Sequence, residues 1–288
     1  MSYETVLAPD GVRVGYERFG AGAPSICVVP AHPLSARALQ AAEGSLAAIR
    51  QFAELGLIAL SEVRGCGRSD KHGPYDYRSL AEDVAAICAD INAPPTVVWG
   101  NRSGSLIALQ VAFEHPETVD GVVLDTLSIT DAVSDLVAGD SPKINDLSDR
   151  ELDNVVFRTV AATVQEGTQG ATDEERERIV QELHRAAPLE VWRESIALAW
   201  EDQVDYAGRL ASGDAVPRQP IIALVPGPTL NGPAQQLIGL LRNGGANLTI
   251  AELPNWCRRL HDPASAAELV ATLRPWLDQL PRPDPATS

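Results

Sequence analysis

The chain has 288 residues, of which 45% are hydrophobic and 22% are charged. This length and apolar content favour one large globular domain or two smaller ones and argue against a disordered chain. The 39 acidic and 23 basic residues give a net charge of −16, which argues against binding to nucleic acid or to an anionic membrane through bulk charge. The sequence therefore predicts no nucleic-acid partner and no membrane partner.

The cysteines and the first residues exclude further classes of protein. Cys27, Cys66, Cys88 and Cys257 are scattered and form no C-x-x-C pair, so neither a disulfide framework nor a metal site is predicted. The first segment, MSYETVLAPDG, lacks the basic and apolar parts of a signal peptide. No apolar run approaches the roughly 20 residues of a membrane span. We expect a cytoplasmic protein with no cofactor.

The first 130 residues alternate between strand and helix patterns. The Asp-Gly pair at 10–11 separates two strand-like runs and predicts a hairpin, because glycine there supplies the positive φ that matches strand twist. Further strands are predicted at 25–30, 57–63, 96–100 and 121–125, and helices at 36–55, 79–91 and 103–114. Strands that alternate with helices predict a mostly parallel sheet with helices on both faces.

A helical pattern then replaces this alternation. From residue 131 to 216 the sequence predicts helices only, the last of them at 189–205, and strand patterns return at 220–225 and 247–253, each followed by a helix. We predict an α/β core formed by residues 1–130 and 217–280, a helical cap at 131–216 and a disordered tail at 281–288. Ligands of such sheets bind beyond the carboxyl ends of the strands, where a cap would cover them.

Three segments carry a family resemblance. Residues 62–70 read Glu-Val-Arg-Gly-Cys-Gly-Arg-Ser-Asp, residues 97–105 read Val-Val-Trp-Gly-Asn-Arg-Ser-Gly-Ser, and the following helix ends in His-Pro-Glu at 115–117. They resemble the α/β-hydrolase superfamily, in its branch with a helical cap: the first is similar to its D-x-R-G-x-G-x-S segment, with Glu62 in place of Asp. The resemblance covers nearly the whole chain and implies an eight-stranded, mostly parallel sheet.

The segment at 97–105 contains the family's nucleophile elbow, a strand-to-helix turn of pattern G-x-S-x-G. Here the turn reads Gly-Asn-Arg-Ser-Gly at 100–104, so both glycines are present but the middle residue is Arg102. An arginine stays protonated and is not an acyl nucleophile. Ser103 lies one position further on, where so tight a turn aims its side chain elsewhere.

The other two members of a Ser-His-Asp triad are missing from their usual places. The loop after strand 7, at 225–233, contains no acidic residue, whereas Asp125 occupies the place after strand 6 where some family members carry the acid. In the loop after strand 8 the position of the family's histidine falls near Arg258, and His261 follows it. The resemblance therefore implies an α/β-hydrolase fold that has lost its triad.

The remaining residues predict a different chemistry. Resemblance to the family's loop after strand 3 implies that the backbone N–H groups of His32 and Ser103 form an oxyanion site. The Arg102 side chain offers donors to a carboxylate, phenolate or enolate, and its charge needs Glu62, Asp125 or an anionic ligand as partner. A neutral His32 is predicted to shuttle a proton near pH 7. Predicted substrate-binding residues are Trp99, Trp192, Trp256, Cys257, Arg258 and His261.

Three functions remain open at this point. The first is a cofactor-independent, non-hydrolytic enzyme (a lyase, isomerase, cyclase or decarboxylase) of bacterial metabolism, including secondary metabolism, that acts on a carbonyl, phenolic or anionic small molecule. The second is a hydrolase with a rearranged nucleophile, Ser103 or Cys257. The third is a ligand-binding protein without catalysis. The sequence also leaves open whether the chain forms a homodimer.

Overall fold

The computed structural model describes residues 2–35, 43–125, 144–168, 171–225, 232–253 and 263–281. The strands are β1 (Ser2–Leu7), β2 (Arg13–Phe19), β3 (Ser25–Val29), β4 (Leu57–Glu62), β5 (Thr96–Asn101), β6 (Gly121–Asp125), β7 (Ile221–Val225) and β8 (Leu248–Glu252). The α-helices are α1 (Glu43–Phe52), α2 (Tyr77–Ile91), α3 (Gly104–Glu114), α4 (Asp149–Gly167), α5 (Asp173–Arg185), α6 (Leu189–Ser212), α7 (Gly232–Asn243) and α8 (Pro263–Leu277). A short 3-10 helix precedes α4 at Ile144–Asp146.

The eight strands form one sheet in the order β1-β2-β4-β3-β5-β6-β7-β8. β2 pairs antiparallel with β1 and β4, and all other neighbours pair parallel. The predicted hairpin forms around the Asp-Gly turn, where the Ala8 N–H donates to the Val12 carbonyl at 2.8 Å. The predicted eight-stranded, mostly parallel sheet is thereby confirmed.

Apolar side chains fill the space on both faces of the sheet. One face packs against α2, α3 and α7, with Leu80, Leu109 and Leu241 buried there. The other packs against α1 and α8, with Ile49 and Leu273 buried. The central strands β5, β6 and β7 are buried along nearly their whole length, as strands covered on both faces must be.

The described part of the predicted cap is helical. Capping boxes start α4 at Ser148 and α5 at Thr172, because each hydroxyl accepts the N–H of a glutamate three residues on. α6 runs seven residues beyond its predicted end and stops at Gly213, whose φ of +80° suits the left-handed end of a helix. The domain boundaries stay predictions. No described helix is both long and apolar enough to cross a membrane.

The helical block, α4 to α6, contacts the core at the turn that follows β4. The Gly67 N–H donates to the Ala186 carbonyl at 2.8 Å. At Gly65 a β-carbon would lie 2.7 Å from Cγ1 of Val191 and 2.9 Å from Cε1 of Tyr75. The start of α6 therefore packs tightly on the turn that follows β4.

Candidate functional site

The turn between β5 and α3 is a strained elbow with Arg102 at its apex. Arg102 has a φ of +53°, and it is the one non-glycine residue with positive φ in the described ranges. Side chains other than glycine rarely adopt this left-handed conformation, since the β-carbon crowds the backbone there. The strain marks residue 102 as the turning point between strand and helix.

The two glycines of the pattern fix the register of this turn. A β-carbon on Gly100 would lie 2.3 Å from the Gly104 carbonyl oxygen, and one on Gly104 would lie 2.3 Å from the Val29 carbonyl oxygen. Both contacts are with backbone, which has no room to yield. The elbow therefore spans 100–104, with Arg102 and not Ser103 in the middle.

Asp125 holds the elbow from the neighbouring strand. Its carbonyl accepts the Arg102 N–H at 3.0 Å, and its carboxylate Oδ2 accepts a hydrogen bond from Asn101 Nδ2 at 3.1 Å. Asp125 is 2% exposed. Sequence reasoning singled out Asp125 but missed Asn101, which only the pairing of β5 with β6 brings beside it.

Ser103 is the N-cap residue of α3 and directly follows the apex of the elbow. It has helical backbone angles, φ −61° and ψ −24°, and its side chain makes no capping hydrogen bond. Its backbone N–H, and that of His32, donate to no residue among those described. Both N–H groups therefore remain available as the donors that the predicted oxyanion site requires, since β3 and β5 are adjacent strands.

His32 is held by two contacts with the turn after β4. Its Nε2 lies 3.2 Å from the Arg64 carbonyl oxygen, so Nε2 carries the proton and donates. Its ring stacks on Tyr75 with centroids 6.1 Å apart and 28° between planes. Burial lowers the pKa of His32 to about 4. The expected proton shuttle near pH 7 is therefore corrected: His32 is neutral there and a weak base.

Both carboxylate oxygens of Glu62 accept hydrogen bonds. Its Oε1 accepts the Ser35 hydroxyl at 2.7 Å and its Oε2 accepts the Arg68 N–H at 3.1 Å. A β-carbon on Gly67 would lie 2.0 Å from the Glu62 carboxylate, so this turn closes directly over the side chain. Glu62, one of the two acids expected to neutralise Arg102, thus serves the turn at 62–70.

Arg64, in the same turn at 62–70, makes a buried ion pair that the sequence did not predict. The Arg64 guanidinium binds Asp83 through Nε and Nη2, at 3.1 and 2.7 Å from Oδ1, and both side chains are 0% exposed. Its Nη1 binds Asp10 at 2.7 Å. The Arg64 N–H also donates to Asp83 at 2.8 Å. The network ties the turn after β4 to α2 and to the hairpin.

The predicted aromatic residues lie in two separate layers. Trp99 is buried between the sheet and the helices α1 and α8, with its ring edge against Phe52. Trp192 is buried in the apolar cluster of the helical block, which also contains Tyr75. Their substrate-binding roles stay predictions. Four further predicted residues lie outside the described ranges: Trp256, Cys257, Arg258 and His261.

The cysteines that the structure describes belong to no group of metal ligands among the described residues. Cys27, Cys66 and Cys88 are buried free thiols. Within the described ranges, no group of three or more His, Cys, Asp or Glu side chains is arranged to hold a metal ion.

Solved structures share the fold of this chain. The epoxide hydrolase CorEH superimposes with a TM-score of 0.68 at 16% identity, over 95% of this chain and 97% of that one. An esterase from Exiguobacterium antarcticum superimposes with a TM-score of 0.67 at 15% identity, over 96% and 99%. At such identities the likeness establishes the fold alone.

Sequence comparison points to the same fold. The model of the α/β-hydrolase fold family matches residues 58–169. A pimeloyl-[acyl-carrier protein] methyl ester esterase of Klebsiella pneumoniae is 32% identical over 111 residues, 38% of this chain and 41% of that protein. A magnesium-chelatase 30 kDa subunit of Rhodobacter capsulatus is 36% identical over 52 residues, 18% of each chain. The aligned stretches thus span less than half the length of either relative.

These findings confirm the predicted α/β-hydrolase fold. The chain is an α/β-hydrolase-fold protein whose structural neighbours include esterases and epoxide hydrolases.

Proposed function

We propose that this protein is a cofactor-independent enzyme that acts on small carbonyl or carboxylate compounds without a serine nucleophile. One observation supports the proposal: Arg102 has a φ of +53° between two tightly packed glycines, the backbone pattern typical of the nucleophile position in hydrolases of this fold. A permanently charged guanidinium at this position binds an anionic group of the substrate and forms no acyl-enzyme. The reaction classes that fit are those of a lyase, isomerase, cyclase or decarboxylase.

Reactions of these classes that proceed through an enolate develop negative charge on oxygen. Decarboxylation or α-proton removal leaves an enolate, whose charge rests mainly on the former carbonyl oxygen. The Arg102 guanidinium and the backbone N–H groups of His32 and Ser103 are donors suited to that oxygen. Donors already fixed by the fold stabilise the charge more effectively than water does, since they need no reorientation during the reaction.

His32 takes part as a neutral group. Because Nε2–H donates to the Arg64 carbonyl, Nδ1 carries the lone pair and is the hydrogen-bond acceptor of the ring. With a pKa of about 4, His32 removes a proton poorly at neutral pH. Its proposed role is to orient a hydroxyl or N–H of the substrate beside the oxyanion site.

Covalent labelling tests the absence of a nucleophile. We expect a fluorophosphonate probe to leave the intact mass of the protein unchanged, and p-nitrophenyl acetate to turn over no faster than with an unrelated protein. The esterases among the relatives favour a hydrolase as a second candidate. Labelling that Ser103→Ala abolishes would establish that candidate and overturn our proposal.

Binding measurements test the role of Arg102. Calorimetry with 4-phenylbutanoate and with its neutral amide should show a preference for the carboxylate. Arg102→Met should weaken carboxylate binding about tenfold or more, as loss of a charged hydrogen bond does, and leave the amide unaffected. Arg13→Met, at an exposed side chain paired with Asp70, is the matched control and should change neither affinity. Equal carboxylate affinity of wild type and Arg102→Met contradicts the proposal.

A further inference from the structure

Two buried polar groups on α6 have no hydrogen-bond partner among the described residues. They are the indole Nε1–H of Trp192 and the hydroxyl of Ser195. Their residues are 5% and 6% exposed. Native proteins pair nearly all buried donors, because an unmet donor loses its hydrogen bond to water and gains none in return. Two such groups together require an explanation.

Two buried serines elsewhere in the chain show the usual arrangement. Ser61, fully buried in β4, donates to the Val28 carbonyl at 2.8 Å. Ser105, buried at the start of α3, donates to the Gly100 carbonyl at 2.9 Å. Ser195 differs from these two serines, and together with Trp192 it gives α6 two unpaired buried donors three residues apart.

The pair lies near the candidate site. Trp192 and Ser195 are three residues apart, so both lie on one face of α6. Val191, next to Trp192, packs on Gly65 and Tyr75. Tyr75 belongs to the same apolar cluster as Trp192, and its ring stacks on His32. Trp192 is thus connected to His32 through Tyr75, and Ser195 lies on the same face of α6 as Trp192.

We propose that Trp192 and Ser195 form a subsite that donates two hydrogen bonds to a carbonyl oxygen of the substrate. The indole N–H only donates, so the matching ligand atom is an acceptor, and a carbonyl oxygen has two lone pairs for two donors. A neutral carbonyl fits better than a second carboxylate, because Glu190 and Glu194 lie on the exposed side of the same helix.

This inference rests on the proposed function and narrows its substrate class. Arg102 binds one oxygen anion, and the α6 pair binds a second, uncharged oxygen of the same molecule. The substrate class is then an oxo acid, which carries both groups.

A matched pair of acids tests the subsite. 4-Oxo-4-phenylbutanoate has the ketone that 4-phenylbutanoate lacks, and calorimetry should show it to bind about tenfold more tightly. Trp192→Phe and Ser195→Ala should each reduce that preference about fivefold, the effect of one neutral hydrogen bond, with 4-phenylbutanoate binding unchanged. Trp276→Phe, on α8 in the apolar layer of the opposite sheet face, is the control and should keep the preference.

Thermal unfolding of the free protein gives a second test. Ser195→Ala should keep or raise the Tm, because its hydroxyl bonds to no described residue. Ser61→Ala should lower the Tm, since its hydroxyl is paired within the fold. A similar fall in Tm for both variants would assign Ser195 to the fold and overturn the subsite.

The outcomes separate the two proposals. Equal binding of the two acids to the wild type overturns the subsite, while weaker binding by Arg102→Met still supports the proposed function. A ketone preference that persists while Arg102→Met binds both acids normally supports the subsite and overturns the role of Arg102. Failure of both acids to bind at 10 mM overturns both proposals.

Discussion

The turn after β4 and the elbow after β5 each contain an arginine, and the two arginines have different surroundings. Arg64 has a side chain that is 0% exposed and donates to two carboxylates, Asp83 and Asp10. Arg102 is partly exposed and sits at a strained φ of +53° between two glycines. The same residue type is therefore fully buried in an ion-pair network in one turn and partly exposed at a strained apex in the other. Burial and backbone register, not residue type, make the difference.

Removal of the Arg64 guanidinium should destabilise the turn after β4. Arg64→Met leaves Asp83 buried without its cation, so we expect the free energy of unfolding to fall by about 4 kcal/mol. Denaturant unfolding followed by circular dichroism measures this loss. The control is Arg78→Met, because Arg78 makes an exposed pair with Glu114 at 3.3 Å and should lose less than about 1 kcal/mol. Similar losses in both variants would contradict a structural role specific to Arg64.

Acid should weaken the packing of His32 on the segment after β4. The folded pKa of about 4 lies below the ordinary value of 6.5, so the unfolded chain binds more protons between these pH values. The His32 contribution to stability is present above pH 6.5 and falls by about 3 kcal/mol as the pH falls to 4. His32→Gln should remove this part of the pH dependence in denaturant unfolding. The exposed His72→Gln serves as control, and an unchanged pH profile in His32→Gln would contradict the assignment.

A methyl group on residue 104 should destabilise the elbow after β5. Gly104→Ala places a β-carbon against the Val29 carbonyl, and we expect a loss of about 2 kcal/mol with distortion of the site. Gly208 provides the contrast, since it is exposed in α6 and a β-carbon there would have no atom within 4 Å. Gly208→Ala should stabilise the helix by up to about 1 kcal/mol. Thermal unfolding compares the two, and a tolerated Gly104→Ala would show that the elbow is looser than the contact distances indicate.

The smallest expected effect concerns the strain at Arg102. Arg102→Gly relieves a backbone conformation that costs about 1 kcal/mol, partly offset by the greater freedom of glycine in the unfolded chain. The variant should unfold at the same Tm or up to about 2 °C higher, yet lose the preference for 4-phenylbutanoate over its amide. A clear fall in Tm would instead assign Arg102 to the stability of the fold, as for Arg64.

The sequence alone predicted the local features of both regions. The glycines at 100 and 104 required a tight turn and placed Arg102 at its centre, and the alternation of strands and helices required a parallel sheet. These features depend on backbone sterics and on residues near one another in the chain. For that reason they can be predicted without a structure.

The tertiary structure alone decided which groups meet. Asp83 lies 19 residues after Arg64 and reads as an ordinary acidic residue of a helix, until the fold brings the two side chains to 2.7 Å. Likewise Glu62, one of three expected partners of Arg102, binds Ser35. Burial lowers the pKa of His32, the predicted proton shuttle, to about 4. The physical reason is that ion pairs and pKa shifts depend on burial and on distances across the fold. Chain spacing does not encode either of these quantities.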